Sequence, residues 1–95
     1  MRAYETTFII KPDLEEEARN NILDRVKEII DTNGGKVNEV DEWGDRNLAY
    51  EIKNYNTGYY TLIKFEGEAE TIDEMERYFN LTDSVLRYLV IREDK

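Results

Sequence analysis

The sequence predicts an α+β fold of element order β-α-β-β-α-β, a four-stranded antiparallel sheet with two helices on one face. Three observations predict it. Apolar residues alternate at period two in four runs, and they recur at spacings of three and four in two others. Short segments rich in Gly, Asn, Asp and Pro separate the runs.

Residues 2–10 open the chain as a strand, with Tyr4, Thr6, Phe8 and Ile10 on one face and Ala3, Glu5, Thr7 and Ile9 on the other. Pro12 stops it and suits the first turn of a helix, with Asp13, Glu15, Glu16 and Glu17 favouring that helix's positive end. Leu14, Ala18, Ile22, Val26, Ile29 and Ile30 then form one apolar stripe. Asn33, Gly34 and Gly35 end the helix, and following a helix rather than a strand they read as a C-cap, not a phosphate loop.

Residues 36–53 are a long second strand, bent near Trp43 and Gly44, where a glycine permits a bulge. Beyond the bend Leu48, Tyr50 and Ile52 share a face, and parity assigns Tyr4 and Tyr50 to the core. The turn chemistry of residues 54–58, NYNTG, makes strand 59–66 pair back as a hairpin. Thr71 and Glu74 match a capping box for a second helix whose apolar edge is Ile72, Met75 and Phe79. VLRYLVIR, residues 85–92, is the last strand.

This order is ferredoxin-like, in one domain spanning residues 1–95. Right-handed crossovers set the first and third strands in the centre and the second and fourth at the edges. No helix covers the second face of the sheet, which should carry Ile9, Tyr60, Leu62, Leu89 and Ile91 together with Lys64 and Arg87. Aliphatic residues left bare in that number point to a partner surface.

Composition excludes much chemistry. The 95 residues contain no Cys and no His, so thiolate metal sites and His-based nucleophile systems are absent. Ser84 is the only serine. The acids around Gly44 (Asp41, Glu42 and Asp45) lack calcium-loop spacing. No metal, cofactor, small-molecule substrate or enzymatic activity is expected. The N-terminal run resembles no signal peptide, and no stretch is apolar enough to span a membrane.

A net charge of −9 disfavours unaided binding to a phosphate backbone. Yet RNLAYEIKNYNTGYYTLIKF, residues 46–65, concentrates Arg46, Lys53 and Lys64 among Tyr50, Tyr55, Tyr59 and Tyr60. Such a mixture serves recognition, and it also suits a half-buried strand. RNA-recognition motifs share this topology, but Thr61 and Lys64 stand where their pattern needs rings, while Tyr59 and Phe65 fall on the core face. The parity is wrong for that kind of stacking platform.

The N-terminal MRAYET, the spaced run Trp43-Gly44-x-Arg46-x-Leu48-Ala49-Tyr50-x-Ile52 and then Gly58-Tyr59-Tyr60 closely resemble the family of the sixth protein of the bacterial small ribosomal subunit. The resemblance covers Met1 to about Arg92. It implies a non-enzymatic protein of the cytoplasmic ribosome with the fold already inferred. It also implies a heterodimer with the basic eighteenth small-subunit protein, joined to the central domain of the small-subunit ribosomal RNA. Two departures make the second strand less basic: Glu51 replaces the proline usual after the LAY triplet, and Asp45 and Asn47 flank Arg46 where a second basic residue often stands.

An acidic protein becomes useful on RNA if its acidic or apolar surface holds a basic partner while a few arginines reach phosphate. Arg2, Arg46, Arg87 and Arg92 are the candidates for RNA, and Tyr60, Leu62, Lys64, Leu89 and Ile91 those for the protein partner. Each arginine also reads as a solvated strand charge. The competing class of function is a free-standing regulatory or small-molecule-binding domain, since fold alone does not decide function.

Overall fold

Alternate residues of two strands, Phe8 and Ile10 in one and Ile63 and Phe65 in the other, are buried at the centre of the sheet. In the computed structural model, which describes residues 1–93, six elements follow one another: β1 (Arg2–Ile10), α1 (Glu16–Thr32), β2 (Lys36–Ile52), β3 (Tyr55–Gly67), α2 (Ala69–Leu81) and β4 (Val85–Arg92). The strands form one antiparallel sheet in the order β2-β3-β1-β4, with centre and edges as expected for a ferredoxin-like fold. Phe8 and Ile10 of β1 and Ile63 and Phe65 of β3 meet Val26, Ile29 and Ile30 of α1 and Met75 and Phe79 of α2 in one buried cluster. Phe79 lies 5.1 Å from Phe8 and 5.0 Å from Tyr88, in tilted ring contacts that add to the area they bury. Thr6 is buried on the same face, and its hydroxyl donates to the Leu89 carbonyl at 3.0 Å, so its own burial leaves that hydroxyl partnered.

Three boundaries differ from the sequence reading. Lys11 still bonds to the Ser84 carbonyl at 2.9 Å, so the chain must turn at Pro12 and Asp13 to leave the sheet. α1 therefore starts at Glu16, and Leu14 packs on the core ahead of it. In α2 the capping box is shifted: Glu68 is the N-cap and Thr71 stands at the third helical position, where its hydroxyl accepts from the Glu68 amide at 3.2 Å. The hairpin turns on Lys53 and Asn54 alone, with φ of 49° and 70°. Two left-handed residues make the primed turn that matches strand twist, so Tyr55 to Gly58 join the ladder instead of looping.

The end of α1 is tightly specified. Gly34 (φ 79°) donates to Asp31 at 3.0 Å and Gly35 to Ile30 at 2.8 Å, the paired bonds of a Schellman motif. A Cβ on Gly35 would lie 2.3 Å from the Glu66 carbonyl oxygen and 2.9 Å from that of Ile30, so helix and sheet meet here through bare backbone. Gly35→Ala should cost about 1–3 kcal/mol, the range for forcing an atom into a packed site. Urea denaturation measures this, and an unchanged midpoint would mean that the helix end and β3 separate freely.

Candidate functional site

Antiparallel partners point to the same side of a sheet, so the registers lay out the face that the helices leave open. One row runs Gly44, Tyr60, Ile9, Arg87, the next Asp41, Leu62, Thr7, Leu89, and the third Glu39, Lys64, Glu5, Ile91. Tyr60, Leu62, Lys64, Leu89 and Ile91 thus share this face, as their parity requires. They differ in what they offer. Leu89 and Ile91 are 56% and 47% exposed, whereas Ile9 and Leu62 are buried although no helix reaches them.

Ile9 is covered in part by the hairpin, where Gly58 lies against it. A register shift between Glu42 and Gly44 bulges β2, and Gly44 takes a left-handed φ of 83°. Trp43 is thereby laid on Tyr60, with ring centroids 6.1 Å apart and planes 12° from parallel. Nearer the tip, Asn47 pairs with Thr57 and Ile52 with Tyr55, so residues 48–51 stand opposite Asn56 alone. This wide bulge carries Tyr50 out of the position that parity gave it. Tyr50 is 58% exposed, not core, and its hydroxyl accepts a hydrogen bond from Arg87, whose guanidinium carbon lies 5.7 Å from the ring centre. A residue of the edge strand β2 so reaches the opposite edge strand, β4. Tyr4, by contrast, is part-buried against the core and stacks on Phe65 at 5.6 Å, as expected.

Further contacts anchor the hairpin to the helix side. Tyr55 donates to the Asp13 carboxylate at 3.1 Å. The Arg19 guanidinium sits 4.1 Å over the Tyr59 ring, and Tyr59 donates to Glu42 at 3.1 Å. Burial first, and then the Glu42 carboxylate, raise the Tyr59 phenol above its ordinary pKa.

The four candidate arginines divide into two pairs. Arg87 stands in the row of Tyr60, and Arg46 pairs with Gly58 one step nearer the tip, so both belong to the hairpin corner of the open face. Arg46 is exposed and donates to the Asp45 carbonyl at 3.1 Å. Arg2 pairs with Gly67 and Arg92 with Tyr4, which sets both at the other end of the sheet and on the helix side of the pleat. From Arg2 to Ile9 along β1 is about 23 Å. Arg2 and Arg92 are therefore not on the bare face. Lys53, which the sequence reading left without a role, lines one cleft with Asn80, Thr82 and Arg87.

The acids separate too. Residues 13–31 and 68–77, the helices with their leading turns, hold twelve acidic and four basic residues, eight of the nine net negative charges. The remaining segments are one charge from neutral. Among the described residues no three acidic side chains gather as a metal site, and no helix is long and apolar enough to cross a membrane. Trp43 and Tyr50 are the surface residues that sequence reasoning missed. Gly44 beside Trp43 was the available signal for the first, and nothing in the pattern marked the bulge that frees the second.

Comparison with known proteins fits this geometry. A family model described as ribosomal protein S6 matches residues 3–92. The chain is 47% identical over 95 residues to small ribosomal subunit protein bS6 of Thermoanaerobacter pseudethanolicus, with 100% of each chain covered. It is 48% identical over 95 residues to that of Clostridium novyi, again with 100% of each covered. The crystal structure of 30S ribosomal protein S6 from Thermotoga maritima is similar with a TM-score of 0.91 at 40% identity, covering 97% of this chain and 87% of that one.

Tyr50→Ala removes the link between hairpin tip and β4. Amide exchange over residues 48–53 should accelerate, while global stability falls by less than about 1 kcal/mol, as for an exposed contact. Hydrogen exchange read by NMR checks this, and unchanged protection would show that the tip is held by other contacts.

Proposed function

This chain belongs to the ribosomal protein S6 family, and from that premise we propose that it binds small-subunit ribosomal RNA as half of a heterodimer with the basic eighteenth protein. The family makes it a structural, non-enzymatic protein of the small ribosomal subunit, and so of the cytoplasmic ribosome. The RNA in question is the central domain. The observation that carries the proposal is the segregation of charge. With eight of nine net negative charges in the helical segments, a phosphate backbone is repelled from the helix layer and meets a near-neutral sheet.

On that sheet Arg46 and Arg87 take phosphates at the hairpin corner, with guanidinium groups suited to paired hydrogen bonds. Arg2 and Arg92, at the far end, meet a separate stretch of backbone. The protein partner occupies the rows of Leu62, Leu89 and Ile91, with Tyr60 and Lys64 beside them. Glu5, Glu39 and Asp41 share those rows and offer carboxylates to a basic surface. Family membership along the whole chain leaves the reading as a free-standing regulatory or small-molecule-binding domain with no observation in its favour.

Filter binding across a salt series tests the proposal. Each phosphate contact steepens the dependence of log K on log salt by a slope of roughly 0.7–0.9. The isolated chain should bind a central-domain RNA fragment weakly and with a shallow slope. Adding the eighteenth protein should tighten binding by more than about tenfold, or ~1.4 kcal/mol, with a steeper slope. Tight binding by the chain alone would contradict it.

A further inference from the structure

Trp43 has no part in the function proposed above. It is the only tryptophan of the chain and is 41% exposed. One face of the indole lies on Tyr60. Its N–H donates to the Asp41 carboxylate at 3.0 Å, so the ring's one polar group is satisfied internally and π-surface is what it turns to solvent. The Gly44 bulge holds this arrangement before any ligand arrives. Cations flank it. Arg46 lies two residues beyond Gly44 on the same face, about 7 Å along the strand, and Arg87 lies two strands from Tyr60, about 10 Å away across Ile9.

We infer that the outer face of the Trp43–Tyr60 stack seats one unpaired nucleobase of the ribosomal RNA, with Arg46 and Arg87 taking the phosphates on either side of that nucleotide. The inference rests on the RNA-binding role proposed above and adds to it the class of RNA recognised, single-stranded rather than helical. A fixed ring without a free donor stacks any base and reads no hydrogen-bonding edge, which is the chemistry of sequence-tolerant single-strand contacts. Two guanidiniums within a nucleotide's reach complement the charge such a strand carries. A protein segment is better matched farther along the same face, where Leu89 and Ile91 present exposed aliphatic surface beside Glu5.

The single tryptophan reports on its own site. The complex of this chain with the eighteenth protein is titrated with a central-domain RNA fragment, and Trp43 emission is followed at each addition. The partner protein should leave the emission nearly unchanged, and RNA should quench it. In the same complex Trp43→Phe, which keeps a ring, should bind within about threefold of the parent, while Trp43→Leu, which keeps apolar area without a ring, should lose about tenfold or more. Melting curves establish that both variants fold, and should either fail, the emission of the parent chain decides alone. A shift on adding the partner with no further change on RNA, or full affinity in Trp43→Leu, would overturn the inference. A complex that assembles at full affinity with silent Trp43 removes this inference only, whereas failure to assemble on RNA removes the proposed function and this inference together.

Discussion

Burial of one side of a pleated sheet fixes what the other side must show. Phe8, Ile10, Ile63 and Phe65 lie under both helices, and Val26, Ile29, Ile30, Met75 and Phe79 close over them. A one-residue slip of β1 or β3 would turn these side chains to solvent and drive Thr7, Ile9, Leu62 and Lys64 inward, so the register is held by the whole core. Both helices are consumed by that one face. The other must cover itself, and it does so only in part. At the hairpin corner Ile9 packs so close to Gly58 that a Cβ there would meet its Cγ2 at 2.3 Å, with a Leu48 methyl 3.5 Å away on the same side. Towards the far end Leu89 and Ile91 stay open.

The same division orders the charge. Helices facing solvent accommodate acids at low cost, and those near the first turns of α1 and α2 gain from the helix dipole. The sheet carries its charges as scattered pairs of opposite sign, Glu5 opposite Lys64 and Glu39 opposite Lys64 among them. The molecule thus has an acidic back and a near-neutral front. Its front is apolar towards one end and, around Trp43, Tyr50, Tyr60, Arg46 and Arg87, aromatic and cationic at the other. An acidic protein can work among phosphates when its surface is partitioned in this way.

Element order and sheet topology were legible because they depend on periodicities that tolerate errors of a residue or two. Both central strands and the apolar stripe of α1 survive any shift of a boundary. The features that failed depend on single residues. NYNTG contains several residues fit for a turn, and only backbone twist selects Lys53 and Asn54 among its neighbours. Tyr50 follows strand parity in the sequence, but a bulge of residues 48–51 against Asn56 cancels the alternation there. Nearness to an edge misleads where alternation is set aside: Arg2 and Arg92 lie near the edges of the sheet, yet both stand on its helix side. The arginines could be named as a set but not sorted into pairs without the registers.

The central claim is that the open sheet face and its hairpin corner are covered when this chain is at work, while the acidic helix layer faces away. Hydroxyl-radical footprinting of the free chain and of the chain within purified small subunits tests it residue by residue. Trp43, Tyr50, Leu89 and Ile91, exposed in the free molecule, should lose most of their reactivity in the subunit, and Asp24, Arg25 and Glu28 on the exposed side of α1 should keep theirs. Protection of α1 with Trp43 and Leu89 as reactive as in the free chain would contradict the account.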